Sequence, residues 1–287
     1  MSWQLLAPAD LEREYSPSSK TGGQYQAFMD QYRARSRDAR STMRVLPDLR
    51  YGERAAHRLD FFPASVPHAP VVLFIHGGYW QELSKDDSAF AAPGIHSNGV
   101  AYCAVGYELA PRSAVHDIVE QCANAISWLH RNADLLQIDA TRIIVAGSSA
   151  GAHLAAMSAL RLRTDPVTRD IVRGLVLLSG IYDLRPLVNT SVNDALHLDE
   201  STACEVSPQF IGLDDFPKSI VAWGAVETAE FKRQSRAFAS ALDSKVRLFS
   251  QFEVADRNHF DLPFDLGDRT TVLGEAVQAL IDSTKGP

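Results

Sequence analysis

Short apolar runs separated by longer amphipathic stretches organise most of this chain. Val71–Ile75 (VVLFI), Ala101–Tyr107, Ile143–Ala146 (IIVA), Leu175–Leu178 (LVLL), Ile220–Trp223 and Val246–Phe252 read as strands. Ala114–Asn132, Ala150–Leu162, Ala229–Leu242 and Thr271–Lys285 carry helical periodicity between and after them. Nearly continuous apolar strands alternating with helices predict a mainly parallel sheet covered on both faces. Before Tyr51 the pattern is polar and charged, with helices predicted at Pro8–Tyr15 and Gln24–Arg40. The second bears only a thin apolar stripe of Phe28, Met29 and Tyr32. Such a segment packs on a larger body rather than folding alone, with a lid or a subunit contact left open. Pro186–Pro217 is a polar, irregular insertion of the kind that contributes to a cap. The expectation is one α/β domain over residues 1–287, with residues 1–50 an N-terminal extension packing on its core or cap.

Composition narrows the function more than the fold. The 287 residues match one hydrophobic core, and 46% hydrophobic with 22% charged residues excludes a mainly disordered chain. A formal charge of −7 argues against a nucleic-acid partner. The local concentration Arg33, Arg35, Arg37 and Arg40 reads as a solvated helix face. Cys103, Cys122 and Cys204 have no zinc or redox spacing, so reduced, mostly buried thiols are expected, with no metal. No secretory leader pattern and no run of about 18 apolar residues appear, so the reading is a soluble, cytoplasmic protein with no membrane partner.

The strongest chemical signal is Gly147-Ser148-Ser149-Ala150-Gly151, which follows the strand IIVA and opens a helix. G-x-S-x-G in a strand–turn–helix context is a nucleophile elbow, with the central serine on a tight turn. Ser149 is therefore the candidate nucleophile, and Ser148 is out of frame. His76-Gly77-Gly78-Tyr79-Trp80 directly follows VVLFI. A glycine-rich loop there supplies backbone N–H groups for an oxyanion, so Gly77, Gly78, Tyr79 and Ala150 are the candidate donors. His76 is read as a brace for this loop, and Tyr107 as its buttress. A serine hydroxyl needs a base, and in this architecture the chain order is Ser, acid, His. Of nine histidines, His259 lies in the right place, after the last strand. Glu227, at the turn after Ile220–Trp223, is the candidate acid. Glu230 is second choice, and Asp256 and Asp261 stay open. Tyr79 and Trp80 are candidate substrate contacts, and Asn258 and Phe260 flank the base.

Taken together, HGGYWQELSKDDSAF, GYELAP, GSSAGAHLAAM, ETAEFKRQS and NHFD resemble the arylformamidases (kynurenine formamidases) of the α/β-hydrolase superfamily, related to the hormone-sensitive-lipase-like esterases. REYSPSS resembles that family's N-terminal stretch. The resemblance implies an α/β-hydrolase fold with a small cap from the N-terminal segment and the 186–217 insertion. It carries the family nucleophile onto Ser149, the base onto His259 and the acid, commonly Asp, onto Glu227. It implies cleavage of an aryl formamide, N-formyl-L-kynurenine, through a formyl-enzyme and with no cofactor. A carboxylesterase or small-acyl amidase or carbamate hydrolase is the alternative, and a non-catalytic binding homologue the remote one. The partner is then a small aryl formamide or ester, with a homodimer left open. Glu82, Lys85, Asp86 and Arg185 are candidates for the charged head of such a substrate, with nothing in their spacing to choose among them.

Overall fold

The computed structural model describes residues 3–285. Eight strands form one sheet: β1 (Leu46–Arg50), β2 (Arg58–Phe62), β3 (Ala69–Ile75), β4 (Ala101–Val105), β5 (Ile138–Ser148), β6 (Val172–Leu178), β7 (Lys218–Val226) and β8 (Leu248–Asn258). Their spatial order is β1-β2-β4-β3-β5-β6-β7-β8. β2 runs antiparallel to both β1 and β4, and every pairing from β4 through β8 is parallel. The six predicted strands are all present. β1 and β2 extend the sheet on the side of β4, and β1 lies inside the first fifty residues.

The helices are α1 (Pro8–Glu14), α2 (Tyr25–Thr42), α3 (Ala92–Ser97), α4 (Val115–Arg131), α5 (Ala133–Leu136), α6 (Ala150–Leu162), α7 (Asn193–Leu196), α8 (Glu200–Glu205), α9 (Ala229–Ser244) and α10 (Val272–Ser283). Side chains alternate across a strand, so β3 feeds two separate cores. Val71, Leu73 and Ile75 join the core filled by α4, α6 and α9. Val72 and Phe74 join the one filled by α3 and α10. The N-terminal segment uses both. Leu11 and Tyr15, at α1, pack into the first core, while Ala39 of α2 packs into the second. Residues between them therefore cross the carboxyl ends of the strands, where ligands bind in open parallel sheets.

The turn from β5 into α6 is closely packed. A methyl group added at Gly147 would overlap the backbone of Gly151, and one added at Gly151 would overlap the carbonyl oxygen of Ile75 on β3. Neither obstacle is a flexible side chain, so only glycine lets strand, turn and neighbouring strand approach this closely. Gly151→Ala is expected to destabilise the fold by about 1–3 kcal/mol, the range for overpacking a tight core. Urea unfolding monitored by circular dichroism checks this.

Candidate active site

Ser149 sits between β5 and α6 with φ 57° and ψ −123°. A serine holds this left-handed backbone only under constraint from its surroundings. Its N–H donates to the carbonyl of Leu178 at the end of β6 (2.8 Å), and its own carbonyl accepts the first bonds of α6, from Ala152 and His153. The side chain is thereby turned out of the sheet at the positive end of a helix. Ala150 is the first residue of α6, so its N–H has no acceptor within the helix.

The loop after β3 lies against this turn. A Cβ at Gly77 would stand 2.8 Å from the carbonyl oxygen of Ser148 and 3.1 Å from Cβ of Ser149. Gly78 has φ +92°, and its carbonyl accepts from the N–H groups of Gln81 (2.8 Å) and Glu82 (2.9 Å), closing the loop on itself. The His76 ring stacks on Tyr107 with centroids 4.2 Å apart, and its Nδ1 lies 2.9 Å from the Gly77 carbonyl. The Tyr107 hydroxyl donates to the His76 carbonyl (2.9 Å). His76 is thus a brace and Tyr107 a buttress, as the sequence suggested. Gly77, Gly78 and Tyr79 line the same cavity as Ser149, and Ala150 follows it at the start of α6.

Trp80 departs from the prediction of a substrate contact. It is fully buried and meets the His153 ring edge-on, with centroids 5.0 Å apart and planes at 87°. Tyr79 and Trp80 both have positive φ, so the chain doubles back and sends the indole beneath the loop. Tyr79 does line the cavity above Ser149.

His259 directly follows β8, and its Nδ1 lies 3.2 Å from Oε2 of Glu227 in a buried pair. The other oxygen of Glu227, Oε1, accepts from the Ser179 hydroxyl (2.6 Å) and the Gly224 N–H (2.5 Å). Those two donors anchor the longer glutamate side chain and leave one oxygen for the imidazole. Two of the rival acids are occupied elsewhere, and the third, Asp256, is exposed. Glu230 pairs with Arg233 and Tyr15, and Asp261 accepts from Asn258. Asn258 in turn accepts from the Phe260 N–H, so it shapes the base's loop. Ser179 and Gly224 were missed by sequence reasoning. Their only signal is position, at the ends of the strands flanking the acid.

Ser149 and His259 line one cavity of about 380 Å³. Phe74, Phe90 and Phe260 supply part of its wall. Tyr15, Tyr25, Met29 and Tyr32 come from the N-terminal segment, and Ser191 and Val192 from the 186–217 insertion. Of the candidates for a charged substrate head, only Glu82 lines it. Lys85 bridges Asp48, Asp60 and Asp86, beside Arg40, which also pairs with the buried Asp60. Arg185 pairs with Asp183. The charged lining residues are Glu12, Glu82 and Asp87, and no Lys or Arg is among the described residues there. No group of three His, Cys, Asp or Glu among the described residues is arranged to hold a metal ion.

Strand order, elbow and facing acid–base pair define an α/β hydrolase with a serine nucleophile position. A family profile described as alpha/beta hydrolase fold matches residues 72–244. Within that class the chain belongs to the kynurenine formamidase family. It is 32% identical to a kynurenine formamidase of Danio rerio over 97% of this chain and 98% of that protein. It is likewise 32% identical to one of Salmo salar, over 93% and 94% of the two chains. Among solved structures, an esterase of the archaeon Pyrobaculum calidifontis superposes with a TM-score of 0.74 at 20% identity, covering 97% of this chain and 96% of its own, which shows the shared fold.

Burial pushes the imidazoles of His76 and His153 from 6.5 down to about 4, so both are neutral in the fold at neutral pH. The unfolded chain takes up these protons below about 6.5 and the native one does not, so stability falls as pH drops from 6.5 toward 4. His153→Gln is expected to show a shallower loss across that window, measured as the urea midpoint against pH.

Proposed function

We propose that this protein is a serine hydrolase that cleaves aryl formamides, with N-formyl-L-kynurenine as substrate, in the cytoplasm. The observation that carries the reading is the similarity to kynurenine formamidases over nearly the whole chain, which therefore runs through the N-terminal segment that walls the cavity. The free thiols Cys103, Cys122 and Cys204 suit a reducing compartment. The aromatic wall suits an aryl leaving group, and the carboxylates of Glu82 and Glu12 suit the ammonium of an amino-acid head.

In this reading His259 takes the proton of Ser149 as its oxygen attacks the formyl carbon. Glu227 holds the imidazole through Nδ1–H and stabilises the imidazolium. The N–H groups of Gly78, Tyr79 and Ala150 receive the negative charge on the former carbonyl oxygen. His259 returns the proton to the aryl nitrogen as the C–N bond breaks. Water, deprotonated by the same imidazole, then attacks the formyl ester. Formate leaves and the Ser149 hydroxyl is restored.

The test is a substrate panel of N-formylkynurenine, formanilide, and p-nitrophenyl esters of increasing chain length. N-formylkynurenine should exceed p-nitrophenyl acetate in kcat/KM by a wide margin, and a reversed order would leave a carboxylesterase. Ser149→Ala and His259→Ala should each lower kcat by about 10³-fold or more. Glu227→Ala should cost less, and full activity in it would move the acid role elsewhere. Glu82→Gln should raise KM for N-formylkynurenine about two- to fivefold, the scale of an exposed ion pair, and leave formanilide, which has no ammonium, unchanged. Steady-state kinetics on both substrates reads this.

A further inference from the structure

Two sequence runs have no part in the reaction as written: REYSPSS around Tyr15, and TAEFKRQS, which follows Glu227. The fold joins them. Tyr15 is 2% exposed. Its hydroxyl donates to Oε2 of Glu230 (2.9 Å) and accepts from Nε2 of Gln234 (2.8 Å). The preceding carbonyl, of Glu14, accepts from the Thr228 hydroxyl (2.6 Å), and the Glu14 carboxylate accepts from the Glu230 N–H (3.1 Å). Four bonds thus tie the end of α1 to the start of α9, whose first residue, Ala229, comes two positions after the candidate acid. The Tyr15 ring also lies against Phe231, which meets the His259 ring edge-on at 4.6 Å.

On its other side Tyr15 reaches the oxyanion loop, because its carbonyl accepts the hydroxyl of Tyr79. Tyr79 has φ +51°, a backbone that a bulky residue keeps only when its surroundings hold it. Its ring is held at the hydroxyl by Tyr15, and the next residue is pinned in the core as Trp80. The Tyr79 N–H is a candidate oxyanion donor, and such donors act only within a narrow range of positions.

We propose that Tyr15 is a positioning residue, whose carbonyl fixes Tyr79 in the oxyanion loop and whose hydroxyl fixes the start of α9, the helix that follows Glu227. Docking of the N-terminal segment then sets the oxyanion hole and the acid–base pair relative to each other, besides roofing the cavity. The inference rests on the serine-hydrolase reading but not on the choice of formamide, so its test also uses p-nitrophenyl acetate. A failed formamide preference in the panel leaves the ester result intact.

Tyr15→Phe keeps the ring and the carbonyl but removes the hydroxyl held by Glu230 and Gln234. Tyr79→Phe cuts the link to the oxyanion loop and leaves α1 untouched. Each is expected to lower kcat about tenfold, the scale of one well-placed hydrogen bond, with KM within about twofold of the parent protein. Each should weaken a phenylboronic acid inhibitor by the same factor, since its tetrahedral adduct on Ser149 sets an oxygen in the hole. The double variant should lose less than the product of the single losses, because both changes act on one linkage. Rates are normalised to folded protein by thermal unfolding of the same samples. A lowered Tm with unchanged kcat and boronate affinity would overturn the proposal in favour of a purely structural tyrosine. A raised KM with unchanged kcat would overturn it in favour of a substrate contact. Should Tyr15→Phe not fold, unchanged kcat and boronate affinity in Tyr79→Phe overturn it alone.

Discussion

The contact between the β5–α6 turn and the end of β3 is the constraint from which the site follows. With glycine at 147 and 151, backbone lies on backbone, and the carbonyl of Ile75 occupies the space a side chain at 151 would need. Ser149 is then forced into a left-handed backbone at the first turn of α6, which points its hydroxyl away from the sheet. Because β3 and β5 are parallel neighbours, the loop leaving β3 must run past that same serine. One packing requirement thereby brings nucleophile position, helix terminus and oxyanion loop together.

The candidate acid and base are positioned from the other side, by β7 and β8. Ser179 and Gly224 anchor one oxygen of Glu227, and the second faces His259. This anchoring holds a glutamate, one methylene longer than aspartate, with one oxygen on the imidazole. The site is closed by the N-terminal segment, which is anchored in both cores and spans the strand ends between them. Its tyrosines and Met29 form cavity wall, so the segment shapes the cavity and does not only cover the core.

Legibility in the sequence followed burial and locality. The strands β3 to β7 announce themselves because their apolar stretches are buried on both faces, whereas β8, at the far edge, shows only the alternation of LFSQFEV. β1 (LPDLR) is the edge strand and β2 (RLDFF) lies beside it, and both carry charges, so no long apolar run marks them. Asp60 on β2 is buried only because Arg40 from α2 and Lys85 from the oxyanion-loop side converge on it. That triangle also explains Lys85, whose charge is used in the fold rather than in the cavity, and Arg40, which is no solvated surface residue. Trp80 was misjudged for a related reason. Adjacent residues in a loop with positive φ part company, so Tyr79 faces the cavity while Trp80 enters the core.

What the sequence determined by itself were the local matters: strand and helix periods, the glycine spacing of the elbow, the glycine-rich loop, and the chain order of Ser149, Glu227 and His259. Each depends on residues within a few positions or on a simple order along the chain. Tertiary structure alone decided which charges face the cavity, which donors hold Glu227, and that Tyr15 links α1 to both the loop after β3 and the start of α9. Those contacts join residues 64 and 215 positions apart. No local propensity encodes such a pairing, because it exists only after the two cores have formed and drawn the N-terminal segment across the sheet.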